Sequence, residues 1–381
     1  MSFLDVFKAE FKEIFSDVAL VLTIIGGVIL YSFFYPQPYS NEVVSALHVS
    51  VVDKDRSDLS RRIVFELDAS PKIDVIRQDL SEADAQKALL KGEIKGIIII
   101  PRNFKRDTLL QTRPTVAVGA DSSYFLIFGT IVEGVMHTVL TESAKIKIAS
   151  HLKESEPIAG ATKTYTSFTI RSNSLFNPKD SYVQYVVPAV YILILQQTLL
   201  IGLGILGGGI NERKKRGIKG YYDRAKPLYM YLSRFIIFFS VFFIHVMFYF
   251  GFSFELFHIT HLASRADLIT FSVAFLSATI TLGIFFGELL DSRELATPIV
   301  LFTSLPLVFS AGFVWPVEAI PEFIKILSFA FPSTPAIMGF LELNQLGASL
   351  FESIQSYRVL WIQVLVYMVL IWFIRLRKAV K

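Results

Sequence analysis

Six predominantly apolar stretches punctuate the chain, near 18–35, 184–209, 233–254, 268–290, 296–314 and 356–374. A helix needs about 20 apolar residues to cross a hydrocarbon core roughly 30 Å thick, so the pattern predicts six transmembrane helices. Two further stretches are amphipathic. Over 1–17 and on to Val18, Leu4, Phe7, Phe11, Ile14, Phe15 and Val18 recur at three- and four-residue steps opposite Asp5, Lys8, Lys12, Glu13 and Ser16. That spacing predicts a helix lying along the membrane interface. In the segment 316–335, Ile320, Phe323, Ile324, Leu327 and Phe331 face away from Glu322, Lys325 and Ser328. Bounded by prolines, this helix is too short to cross and is expected to be interfacial or partly re-entrant.

Residues 36–183 read differently. LHVSVVD (47–53), KIDVIRQD (72–79), KGIIIIP (95–101) and TVAVGAD (115–121) have strand character. Helical patterns cover 58–69 and 81–93, where Ser81 is a candidate N-cap, and return over 122–151. Alternation of this kind predicts a small α/β domain with a largely parallel sheet, inserted between the first and second transmembrane helices. Nothing in it resembles a catalytic site: His48, His137 and His151 are scattered, and KDRSDLSRR (54–62) reads as a solvated helix start. Its expected work is binding or docking.

Composition reinforces the membrane reading. Of 381 residues 53% are apolar, 35 are Phe, and only 18% are charged, against about 25% in a soluble chain. The absence of cysteine excludes disulfides, thiolate metal sites and cysteine nucleophiles. The first apolar run could be a secretory signal, but its flank carries Asp5, Glu10, Glu13 and Asp17 beside only Lys8 and Lys12. The one tolerable cleavage site, after Ala46, lies well beyond the run, so a retained anchor is expected.

Charge then orients the chain. Lys and Arg collect in cytoplasmic loops. Between 211 and 234 stand Arg213, Lys214, Lys215, Arg216, Lys219, Arg224, Lys226 and Arg234 against Glu212 and Asp223. The tail RLRKAVK is basic as well, whereas 315–355 holds Lys325 and four glutamates. The expected arrangement puts the loop 211–232 and both termini in the cytoplasm of a bacterial inner membrane, with 36–183 outside.

The stretch GLGILGG (202–208) superficially matches a dinucleotide-binding glycine loop. Such a loop follows a short strand and opens a helix. Here the glycines end a long apolar run and lead into lysines and arginines. Gly204 and Gly208 fit close helix packing instead. No phosphate-binding G-x-x-x-x-G-K-[S/T] loop occurs, so the chain is expected to hold no ATP site, catalytic centre, cofactor or metal, and no nucleic acid. Ionisable groups at membrane depth are functional candidates by default. His245 lies mid-helix and fits a neutral, hydrogen-bonded imidazole better than a proton relay. Glu288, with Asp291 and Glu294, lies at the cytoplasmic end of the fourth span. Gln196 and Gln197 either bind helices together or line a path. His258 and His261 lack the further ligands a metal site needs. With so few buried carboxylates, an ion-coupled pump is disfavoured.

Four features in chain order resemble the permease subunits of type 2 ABC exporters that carry a large external domain between the first two spans. They are the interfacial helix; the stretch with Ile100, Pro101, Phe104, Val118 and Asp121; the loop with Glu212, Arg213, Gly217 and Pro227; and the outer segment with Pro316, Pro321, Pro332 and Pro335. The Glu-Arg to Gly spacing is one residue longer than that family's usual pattern. The resemblance implies a separate ATPase subunit that binds ATP and Mg, docking on Glu212, Arg213, Lys214, Lys215, Arg216, Gly217, Tyr221, Tyr222 and Pro227 and on the helix bearing Phe7, Phe11 and Phe15. It implies a second permease copy, identical or paralogous, and allows for a periplasmic adaptor or outer channel. The expected function is export of a hydrophobic or amphiphilic substrate (drug, lipid or polymer). The basic loop could instead bind anionic lipid, and a membrane-anchored receptor or assembly factor is the alternative.

Overall fold

The computed structural model describes residues 1–39, 45–110, 112, 114–120, 125–153, 181, 183–315 and 317–380. They form two units, Met1–Glu42 with Ser174–Lys381, and Val43–Asn173. Asp121 and Pro316 lie outside the described residues.

The chain opens with α1 (Phe3–Ser16), started by a reciprocal cap in which Ser2 and Asp5 each accept the other's backbone N–H. Asp17 ends it and caps the next helix, accepting from the N–H groups of Ala19 and Leu20. One residue thus marks the turn from interfacial helix to first span. That span is broken into α2 (Val18–Val21), a π-turn over Leu22–Gly27 and α3 (Val28–Phe34). Two consecutive glycines and the Thr23 hydroxyl bonding back to Ala19 favour the irregular turn.

The second unit runs β1 (Leu47–Asp53), α4 (Asp58–Asp68), β2 (Ile73–Gln78), α5 (Glu82–Leu90), β3 (Gly96–Ile100), α6 (Phe104–Leu109), β4 (Ala117–Ala120) and α7 (Phe125–Lys153). Its sheet has the order β2-β1-β3-β4. Ile98 and Ile100 pack with Leu59, Ile63, Ile131 and Val135 of α4 and α7, while Ile97 and Val52 pack with Ala85 and Ala88 of α5. Helices therefore cover both faces, as parallel strands require. The fourth strand departs from expectation: it is shorter than 115–121 and antiparallel to β3. A parallel return needs a crossover long enough to span the sheet, and the link here holds only the six-residue α6.

The first unit then resumes with α8 (Val183–Lys215), α9 (Tyr221–Arg224), α10 (Pro227–Met247) continuing through a π-turn (Phe248–Ser253) into α11 (Phe254–Leu256), α12 (Arg265–Leu289), α13 (Ala296–Ser310), α14 (Glu322–Ser328), α15 (Ser333–Asn344) and α16 (Ile354–Val380). Among the described residues, five segments are long and apolar enough to cross a membrane: Val18–Tyr39, Val183–Lys215, Pro227–Leu256, Arg265–Leu289 and Ile354–Lys378. Counting the bent pair α14–α15 as one adds a sixth. Where the fifth span was expected at 296–314, the helix is shorter. Its helix stops at Ser310 after 15 residues, about 22 Å at 1.5 Å each, and the chain turns at Ala311–Gly312. Where an interfacial or partly re-entrant helix was expected within 316–335, α14 is followed by the longer α15, bent from it by 87°.

Irregular backbone at membrane depth must find its partners in protein, and the elbow at 329–332 does. Gln363 Nε2 donates to the Phe329 carbonyl at 2.7 Å, and the Tyr367 hydroxyl donates to that of Ala330. The Ser333 N–H donates to Gln196 Oε1 at 2.6 Å, while Gln196 Nε2 donates to Ser333 Oγ at 3.0 Å. Gln196 thus caps α15 from α8, and Gln197 stays half-exposed beside it. Replacing Gln196 by leucine is expected to lower stability by about 0.5–2 kcal/mol, read as a fall in the thermal midpoint of the detergent-purified protein. An unchanged midpoint would deny the cap.

Candidate coupling site at the basic end of the helix bundle

Charged side chains gather where α1, the end of α8, the start of α10, the end of α12 and the end of α16 meet. The first contact lies within α1. Its most buried line is Val6, Glu10 and Ile14, not the aromatic face that periodicity suggests. Phe7 and Phe15 are half-buried against the bundle, and Phe11 and Leu4 remain exposed. Phe7, Phe11 and Phe15 form a ladder with ring centroids 6.5 and 4.4 Å apart.

Glu10 is buried because it has a partner. Arg234, in the third turn of α10, places Nε 3.1 Å from both Glu10 carboxylate oxygens, and neither side chain is more than 4% exposed. Two ions leave water together only when geometry and charge match this closely. The Tyr221 hydroxyl is buried beside the pair. Burial, helped by the Glu10 charge, raises its pKa above the ordinary tyrosine value. Two outer ion pairs extend the seam: Glu13 with Arg213 at 2.5 Å and Asp17 with Arg293 at 2.8 Å.

The basic loop is shorter than the 211–232 expected from charge. Glu212, Arg213, Lys214 and Lys215 belong to the last turn of α8, and Pro227 already stands at the first position of α10, where its missing N–H costs nothing. The turn between begins with Gly217 at φ 71°. Its N–H donates to the Lys214 carbonyl at 3.0 Å, and the Ile218 N–H donates to that of Arg213 at 2.9 Å. This paired pattern ends a helix with a left-handed residue and places a glycine there. Arg216 pairs back to Glu212 at 2.5 Å. After the turn comes the short α9, whose Tyr222 ring lies under Arg213 and Lys214 at 5.6 and 5.4 Å, with its hydroxyl on the Ile218 carbonyl.

Both feet of the loop rest on the end of α12. Asn211 Nδ2 donates to the carbonyls of Gly287 and Leu290 at 3.1 and 2.8 Å. Lys215 pairs with Asp291 at 2.6 Å, which holds that carboxyl below its usual range. Beyond the loop, the Tyr231 hydroxyl donates to Glu288 Oε1 at 3.0 Å. Glu288 also receives Arg375 Nη2 at 2.9 Å and Lys378 Nζ at 2.8 Å from α16. Paired on both oxygens, it ties α10, α12 and α16 together.

The glycines of α8 sit at helix crossings. A Cβ on Gly207 would lie 2.6 Å from the Gly287 backbone, one on Gly208 2.5 Å from that of Ser292, and one on Gly204 2.8 Å from Ala296. At the other end of the bundle Gln184 bonds His258 and Thr260. Among the described residues no group of three metal-ligating side chains forms, and His258 and His261 gain no further ligand. His245 donates through Nε2 to the Ile24 carbonyl at 2.9 Å, in the π-turn of the first span. The Tyr249 and Tyr191 hydroxyls continue this row onto the carbonyls of Val28 and Ser32 at 2.8 and 3.0 Å.

Sequence reasoning missed Glu10, Asn211, Tyr231 and Arg375. Arg234 was visible as the one cation entering the third apolar run, and its need for an acid could have pointed to Glu10. Asn211 and Tyr231 carried no such mark.

Long apolar helices packed through small residues, with a charged seam at one end, fit a multi-pass membrane protein. The chain belongs to the ABC-2 family of transporter proteins, whose family model matches residues 18–373. It is accordingly a permease component and not itself an ATPase, and membership implies an ABC ATPase partner in general. No curated protein matches the chain.

Proposed function

We propose that this chain is the membrane half of an ATP-driven exporter, and that residues 211–230 with α1 receive a separate ATPase subunit in the cytoplasm. The observation that carries this reading is the convergence at one end: the loop, α1 and the ends of α8, α10, α12 and α16 are joined there by charge. A protein docking on exposed Lys215, Arg216, Lys219 and Arg224 would press on a turn whose two feet are fixed to α12, and on α1 through Glu10 and Arg234. ATP and Mg would be bound by that subunit. Two permease copies, identical or paralogous, would form the path for a hydrophobic or amphiphilic substrate, with the basic end inside and the α/β unit outside, where an adaptor or channel could meet it. Exposed Leu4 and Phe11 suit α1 to lipid.

The test is co-purification with the ATPase, followed by replacement at the turn. Gly217→Val forces a β-branched residue into the left-handed region at a cost of roughly 1–2 kcal/mol and misplaces α9. Permease-stimulated ATP hydrolysis is expected to fall at least several-fold in Gly217→Val and in Glu212→Ala, while the complex still elutes intact. Stimulation equal to wild type in both would count against docking at this loop.

A further inference from the structure

We propose that Glu288 is a positioning residue that carries movement of the 216–226 turn into α12 and α16, with the C-terminal Arg375 and Lys378 as its obligate counter-charges. This inference rests on the reading of that turn as the motor-receiving element, and it adds the route beyond it and a role for the tail.

Three observations converge. First, the residues that flank the turn, Asn211 and Lys215 on one side and Tyr231 on the other, all bond to 287–291. Displacement of the turn therefore pulls on the end of α12 from both sides. Second, the Glu288 side chain is only 8% exposed, yet both its oxygens and its backbone carbonyl are occupied. Oε1 takes Tyr231 and Arg375, Oε2 takes Lys378 at 2.8 Å, and the carbonyl takes Lys378 at 2.9 Å. Third, Arg375 touches Tyr231 as well as Glu288. Its Nε donates to the Tyr231 hydroxyl, and its guanidinium carbon lies 5.2 Å from the Tyr231 ring centre. Arg375 and Lys378 stand three residues apart, on one face of α16. An anion closed between two cations and a phenol cannot release one partner without leaving a buried charge short, so the three helix ends move as a set. A stop signal of dispersed positive charge would not need an acid at its centre.

The protein has no cysteine, so a single introduced pair can report on the turn. With nitroxide labels on Ile218→Cys and Leu289→Cys, both exposed in the native chain, the permease alone in lipid nanodiscs should give a narrow distance distribution. Glu288→Gln should broaden it. Arg375→Gln with Lys378→Gln should broaden it to the same extent, and combining all three should add nothing. In the complex with its co-purified ATPase, Glu288→Gln should lower stimulated hydrolysis about tenfold, within the range that coupling between two sites spans, without loss of assembly. Tyr231→Phe, a milder change, should lower it partially. Reversing the charges in Glu288→Lys, Arg375→Glu, Lys378→Glu should restore part of the loss. A distribution unaltered by Glu288→Gln, additive broadening in the triple variant, or wild-type hydrolysis in Glu288→Gln would each overturn the proposal. Should the wild-type permease fail to stimulate any ATPase, the motor reading falls, and the label distances still decide whether Glu288 fixes the turn.

Discussion

Replacing Glu10 by alanine is expected to destabilise the permease by about 3–5 kcal/mol, because it leaves the Arg234 guanidinium buried without a counter-ion. The pair spans 224 residues of sequence and neither side chain reaches water. Removing both charges is a different experiment. In Glu10→Leu with Arg234→Met the desolvation penalty disappears with the attraction, and most of the lost stability should return. Thermal unfolding of the two variants and the parent in the same detergent measures this. A single variant as stable as the double would mean that the arginine had found another partner. Activity should separate from stability: the double variant folds but no longer ties α1 to α10, so ATPase stimulation should stay low. The pair's worth is then specificity of docking and not net stabilisation.

The second large effect is expected at Gly207. Valine there would set its Cβ within 2.6 Å of the Gly287 backbone, and two backbones in contact cannot yield as a side chain does. Forcing extra atoms into a packed crossing costs about 1–3 kcal/mol or more, and this crossing joins α8 to α12 near the basic end of the bundle. Gly207→Val should therefore fail to accumulate in membranes as a monodisperse species. Gly209, two residues on, is the internal control: a Cβ there meets only Arg293 at 3.9 Å. Gly209→Ala should be neutral or slightly stabilising, since alanine is the better helix former. Equal yields of both variants by fluorescence-detected size exclusion would mean that the crossing is looser than the backbone distance implies.

What the sequence disclosed follows the same division. Long apolar runs with basic ends and the alternating strands and helices of the insert were legible because each reflects a local period. Apolarity alone overstated the length of α13, since Ala311 to Val314 look as apolar as the helix before them yet turn away. The second half of the bent pair was missed because Ala336, Ile337 and Phe340 follow Pro332 and Pro335, which signal breaks. The basic loop was read as a unit because charge marked it, although Glu212–Lys215 are helical. The seam itself was illegible in outline: its partners lie dozens to hundreds of positions apart, and only residues such as Arg234 or Glu288, costly where they stand, hinted that one existed.

The first span has one more consequence. Its bonds to His245, Tyr249 and Tyr191 all end on main-chain oxygens, those of Ile24, Val28 and Ser32, one helical turn apart. The rungs are thus supplied wholly by neighbours, and the borrowed upright contributes only what every peptide unit has. Where this stave stands among the helices is dictated from more than 150 residues downstream, so one of its three tethers can be cut by Tyr249→Phe without altering a single atom of the stave itself.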